Sequence, residues 1–168
     1  MELTNENVLG KIIEKFGEEN VWDALNPDGI MTITTNRETI LPLIQYLYDD
    51  EELQIRFLTT MCGIHYPDQK DKELCTMYQL HSFRHNYRIR IKVYFPIADP
   101  VMPTLTNLYA TANWMEREAY DFYGIIFTGH PNLVRILNIE DMEYHPMLKQ
   151  YPLEDQTRED KINTFFGR

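Results

Sequence analysis

Three carboxylates and one guanidinium fall within six residues: Glu116, Arg117, Glu118 and Asp121. His130 and Arg135 follow a short way on. Carboxylates with an imidazole are the raw material of a metal site, so that chemistry has to be weighed first. The spacing argues against it. Consecutive helical positions point in different directions, Arg117 places a positive charge in their middle, and zinc sites ask for ligands on one helix face, as in HExxH. A packed network of charges is the simpler reading. His81 and His85 are four apart, but in a strand and turn, where that spacing does not bring two rings together. Cys62 and Cys75 lie next to no activating group, and a strand cysteine ordinarily behaves as a small apolar residue. Two scattered cysteines cannot supply the four ligands of an iron–sulfur cluster. The sequence contains no GxGxxG, no GxxxxGK[ST] and no GxSxG, the signatures of nucleotide binding and of acyl chemistry.

The charges must be positioned by a helix. Trp114 to Tyr123 has no proline or glycine, and Gly124 is placed to end it in a left-handed conformation. On that helix Arg117 and Asp121 share a face and are spaced to pair. Trp114, Tyr120, Phe122 and Tyr123 alternate with the charges around the helix, as expected of a segment enclosed by several neighbours. Beyond it, His130 is held extended by Pro131.

The rest of the chain supplies the frame. Asn7 to Phe16 reads as an amphipathic helix ended by Gly17. Asn20 to Leu25 and Gly29 to Thr35 read as short strands about the turn Asn26-Pro27-Asp28-Gly29. A second helix is capped by Asn36 or Thr39, and Pro42, tolerated in a first turn, argues for a start near Glu38. Three strands follow, Phe57 to Tyr66, Glu73 to Phe83 and Tyr87 to Phe95. In the last, Tyr87, Ile89, Ile91, Val93 and Phe95 alternate with Arg88, Arg90 and Lys92, so one face meets a core and the other water or a partner. Those three cations could receive an acidic partner surface or be neutralised by the chain's own acids. Pro96 to Pro103 reads as a loop, and Thr104 to Tyr109 as the opening of the long helix or a short helix of its own. The order helix, two strands, helix, three strands gives a two-layer α+β domain with a mixed sheet. The domain is expected over residues 1–137. Residues 138–168, polar and proline-punctuated, read as an extended C-terminal arm that does not fold on itself.

Composition narrows the classes. The 168 residues carry a net charge of −10, so nucleic acid, which needs a basic footprint, is not an expected partner. Two cysteines without a CxxC make a disulfide framework unexpected. The first residues are polar and helical, not apolar as a signal peptide requires, and no window has the length of a membrane span. A membrane would be reached only through a partner.

The stretch ANWMEREAYDFYGIIFTGHPNLVRIL, Ala112 to Leu137, resembles the central motif of the 30-kDa subunit family of respiratory complex I, the NADH–quinone oxidoreductase. That motif reads A-x-W-x-E-R-E-x-x-D-x-x-G-I-x-F-x-G-H-P-x-L-x-R-I-L. Its fixed positions are met by Trp114, Glu116, Arg117, Glu118, Asp121, Gly124, His130, Pro131 and Arg135 among others. The element order extends the resemblance over roughly residues 30–153. His65 stands where the family usually has Asp, and the segment from His145 to Pro152 departs from the family's H-P-L-R-K-D-Y-P.

The resemblance implies a non-catalytic structural subunit of the peripheral arm, at the cytoplasmic face of the cell membrane. Its neighbours would be the large subunit that helps form the quinone site and the small subunit with the last iron–sulfur cluster. No cofactor is expected on this chain; NAD, flavin, iron–sulfur clusters and quinone would belong to the complex. The charged-aromatic motif would be structural and interfacial. Two other readings stand beside it: the equivalent scaffold of a membrane-bound hydrogenase, and an independent metal-dependent hydrolase.

Overall fold

The computed structural model describes residues 3–25 and 27–152. The expectation for the end of the arm, residues 153–168, lies outside the described residues. Helix α1 spans Asn5–Phe16, starting two residues earlier than its periodicity suggested, because Thr4 caps it by accepting from the Asn7 N–H. Strands β1 (Val21–Leu25) and β2 (Met31–Thr35) flank a 3-10 turn at Pro27–Gly29. Helix α2 covers Arg37–Asp49, and β3, β4 and β5 cover Phe57–His65, Leu74–Ser82 and Tyr87–Phe95.

Helix α2 starts within one residue of the expected Glu38, but Pro42 does not fall in its first turn. Pro42 is the sixth helical residue, in the second turn. Glu38, whose carbonyl would have accepted its missing N–H, is exposed, as is Pro42. The lost hydrogen bond therefore falls on the solvent side, where water can serve the free carbonyl.

The five strands form one mixed sheet in the order β1-β2-β5-β4-β3. Only β2 and β5 run parallel; the other neighbours are antiparallel. The alternation read in β5 is the alternation found, with Ile89, Ile91 and Val93 buried in one cluster with residues of α1 and α2. The α+β class and the mixed sheet stand as expected.

Two short strands were not legible. Val101–Pro103 is β6 and Ile126–Thr128 is β7, a parallel pair. Helix α3, Ala112–Tyr123, is the crossover between them. It begins two residues before Trp114, and Thr104 to Tyr109 is a series of turns rather than a helix. The expected loop over Pro96 to Pro103 thus ends in a strand, its last three residues. Its pairing with β7 fixes both ends of α3 and brings Thr104 beside Thr128, with the Thr104 N–H donating to the Thr128 carbonyl at 3.1 Å.

Helix α3 lies close on β3. A Cβ on Gly63 would stand 2.6 Å from Cδ2 of Tyr123. That approach is possible because position 63 has no side chain.

Candidate structural and interface site

Glu116 and Asp121 are both fully buried, 0% exposed, and each organises a different segment. Glu116 reaches back along the crossover. Its Oε1 accepts from the Leu105 N–H at 2.7 Å and its Oε2 from the Thr104 hydroxyl at 2.5 Å. Thr104 Oγ1 in turn accepts from the Thr106 N–H at 3.2 Å. The carboxylate thus fastens the turns between β6 and α3. Described residues place no cation against it, and burial pushes its pKa up to about 7, against the pull of the Leu105 and Thr104 hydrogen bonds.

Asp121 is the centre of the site. It accepts five hydrogen bonds: from Arg135 Nη1 at 2.7 Å, from the backbone N–H groups of Ile136, Leu137 and Asn138, and from the Asn138 side-chain amide. Burial alone would raise its pKa, but the backbone donors of Asn138 and Leu137, then Arg135, more than reverse that and hold it below the usual carboxylate range. Arg135 does more than neutralise the charge. Its other guanidinium nitrogen donates to the carbonyls of Met142, at 2.5 Å, and Tyr144, at 3.0 Å. One aspartate and one arginine therefore fold residues 135–144 around the C-terminal half of α3.

The expected Arg117–Asp121 pair is not made. Arg117 instead donates from Nε to the Val134 carbonyl at 3.0 Å and from Nη2 to the Arg135 carbonyl at 2.9 Å, lying over the Trp114 ring. The Asp121 oxygens are already filled by donors from residues 135–138, so helical spacing gives way to a better-hydrogen-bonded partner. Trp114 and Glu118 are exposed, so the helix is enclosed on part of its circumference only.

The histidines have structural partners. His130 Nδ1 accepts from the Asn132 N–H, which leaves Nε2 to donate to the Asn113 carbonyl at 3.1 Å. His145 donates from Nδ1 to the Asp121 carbonyl at 3.0 Å. Its ring also explains Gly124: with φ +78 the position suits glycine, and a Cβ there would meet His145 Cδ2 at 2.7 Å. His65 accepts from the Lys149 N–H at 2.9 Å, and burial lowers its pKa. Pro131 follows His130 in an exposed turn.

Arg117, Asp121 and Arg135 are thus brought into one bonded network with Asn138 and His145, against which Gly124 packs, while Glu116 with Thr104 and His130 with Asn113 form separate sets; Thr104, Asn138 and His145 are site residues that motif reasoning passed over. Asn138, next to the R-I-L run, carried the one usable signal, a side-chain donor in a polar segment. Backbone donors leave no trace in a sequence. Among the described residues no group of three or more His, Cys, Asp or Glu is placed to hold a metal ion, and no helix is long and apolar enough to cross a membrane.

The loop that Asp121 gathers is apolar outside. Leu137 is 65% and Ile139 66% exposed, with Val134 and Tyr144 also open to solvent. A shallow cavity of about 270 Å³ lined by Tyr120, Leu133, Val134, Arg135 and Glu140 opens beside them.

Comparison with known proteins gives a concordant set of likenesses. Residues 33–157 match the family described as respiratory-chain NADH dehydrogenase, 30 kDa subunit. A relative from Nocardioides sp., named as one of the subunits of NADH-quinone oxidoreductase, is 48% identical over 125 residues, 74% of this chain and 50% of the relative. The chain thus spans about half the length of that curated relative. Among solved structures, the trypsin-resistant fragment of Nqo5 superposes with a TM-score of 0.62 at 29% identity, over 76% of this chain and 98% of that one. A chain of the membrane-bound sulfane sulfur reductase, an archaeal respiratory membrane complex, gives 0.75 at 18% identity, over 93% of this chain and 96% of that one, and shares the fold.

Proposed function

The chain belongs to the respiratory-chain NADH dehydrogenase 30-kDa subunit family, and on that premise we propose that it is a non-catalytic assembly subunit of a proton-translocating NADH–quinone oxidoreductase. In this reading it sits in the peripheral arm, at the cytoplasmic face of the membrane, and reaches the membrane only through the complex. Its neighbours are the large quinone-site subunit and the small iron–sulfur subunit. NAD, flavin, clusters and quinone are held by other subunits, and this chain supports electron transfer by holding them in place. The relatives' shared name favours this reading over a hydrogenase scaffold.

The observation that carries the proposal is the use made of the motif. Of its charges, Arg117, Asp121 and Arg135 are bonded to one another or to groups of residues 134–144, Glu116 is bonded to Thr104 and Leu105, and Glu118 stands exposed. What they hold outward is apolar: Leu137 and Ile139 stand exposed on a loop whose backbone is fixed at several points. Rigid exposed apolar side chains are the mark of a surface covered by another protein.

The test uses Arg117, which braces that loop through two carbonyls. Arg117→Ala should lower the amount of assembled complex on a native gel, with quinone reductase activity in membranes falling in step. Activity per assembled complex should stay near wild type. Full assembly with lost turnover would assign a catalytic role to this helix and overturn the proposal.

A further inference from the structure

One face of the five-stranded sheet is filled by the core, where Ile89, Ile91 and Val93 meet the buried residues of the helices. The opposite face carries Arg88, Arg90 and Lys92, the alternate residues of β5. The strand register sets Arg88 beside His81, Arg90 between Gln79 and Thr32, and Lys92 between Met77 and Thr34. No cross-strand neighbour is a carboxylate. Among the described residues none of the three cations makes an ion pair, and Arg90 Nε is buried without a hydrogen-bond partner. On a chain of net charge −10, this is a positive strip with which no described acid of the chain makes an ion pair.

An aromatic cluster closes one end of the strip. The Phe57 and His81 rings lie 4.8 and 4.7 Å from that of Phe83, which is 68% exposed. Exposed aromatic side chains next to a row of cations have the composition of an interface anchor.

We propose that this sheet face docks a partner protein that presents carboxylates to Arg88, Arg90 and Lys92 and an apolar side chain to the Phe57–Phe83 cluster. This rests on the assembly reading and adds a second contact surface, on the sheet rather than on the loop around Asp121. Charge complementarity selects the partner. An unpaired guanidinium nitrogen in a half-buried setting is satisfied by a carboxylate, and acidic groups opposite a basic row also fix register. A nucleic acid is disfavoured, since the remaining surface of an acidic chain repels a polyanion.

The test uses the respiratory complex purified from its native membrane with this chain in place. A carbodiimide, which joins an amine to a carboxylate in direct contact, should link Lys92 to an Asp or Glu of another subunit, read by mass spectrometry. Lys92 left unlinked and open to an amine reagent, or linked to an acid of this same chain, overturns the proposal. So does nucleic acid that ultraviolet light crosslinks to Phe83. As a second measurement, a chain carrying Arg88→Glu, Arg90→Glu and Lys92→Glu should incorporate at least about tenfold less than wild type, equivalent to about 1.4 kcal/mol. If the wild type incorporates and the reversed chain does so equally, the docking face is wrong and the assembly reading stands. If the wild type itself joins no complex, the assembly reading falls and takes this inference with it.

Discussion

Glu116 and Asp121 are two fully buried carboxylates on one helix whose affinities for protons are driven in opposite directions. Asp121 has an arginine and three backbone donors; Glu116 has one backbone donor and a hydroxyl. For Glu116 burial wins, and its pKa rises to about 7, against about 4.3 in an unfolded chain. The folded state therefore binds this proton more tightly than the unfolded state. Its contribution is most favourable below the unfolded value, declines as pH rises towards 7, and is fully lost above that. The span is on the order of 3 kcal/mol. Glu116→Gln keeps an acceptor for the Leu105 N–H and removes the titration. Denaturant unfolding at about pH 5 and about pH 8 should show wild type losing stability across the interval relative to the variant. An equal change in both would mean that Glu116 is charged at neutral pH in the fold.

Between elements, α3 lies close on β3 at Gly63. Gly63→Ala would drive a methyl group into Tyr123, and overpacking of this kind costs about 1–3 kcal/mol. Tyr123→Leu in the same chain should recover part of that loss, giving a coupling energy in a double-mutant cycle. Additive effects would place the strain elsewhere. This contact also shows what a sequence carries and what it does not. The alternation in Tyr87–Phe95 gave β5 its true bounds because burial on one face imposes a period of two. Gly63 gave no such sign, since its role depends on a residue sixty positions away in the chain. Strands β6 and β7 are three residues each and next to proline or glycine, too short to hold a period. The site followed the same rule. Glu116, Asp121, Gly124 and Arg135 were visible as residue types, but the local spacing rule paired Arg117 with Asp121, where a loop arginine and three backbone N–H groups prevail. Thr104 and His145 came into the site only through the crossover and the returning chain.

At the scale of the whole molecule, the question is where the folded body ends. The polar, aperiodic character of residues 138–168 suggests an arm that begins at Asn138, yet the described part of that segment is fastened to the body. Asn138 bonds to Asp121 twice, the Met147 N–H donates to the Phe122 carbonyl, Leu148 is buried, and the Lys149 N–H meets His65. Trypsin can read this directly, because two of its target residues differ in setting. The Arg135 side chain is 9% exposed and bonded to three backbone carbonyls and a carboxylate, whereas Lys149 is exposed. Cleavage needs local opening, so its rate follows the stability of the segment around the bond. Limited digestion of the isolated chain should therefore cut after Lys149 well before Arg135, leaving a fragment that ends at Lys149. Asp121→Asn should reverse that protection. It leaves Arg135 buried without its counter-charge, at a cost of about 3–5 kcal/mol for a broken buried pair, and cleavage after Arg135 should then appear alongside that after Lys149. Early cutting at Arg135 in the wild-type chain would show that the arm separates before Asn138 and that the Asp121 network does not hold it in solution.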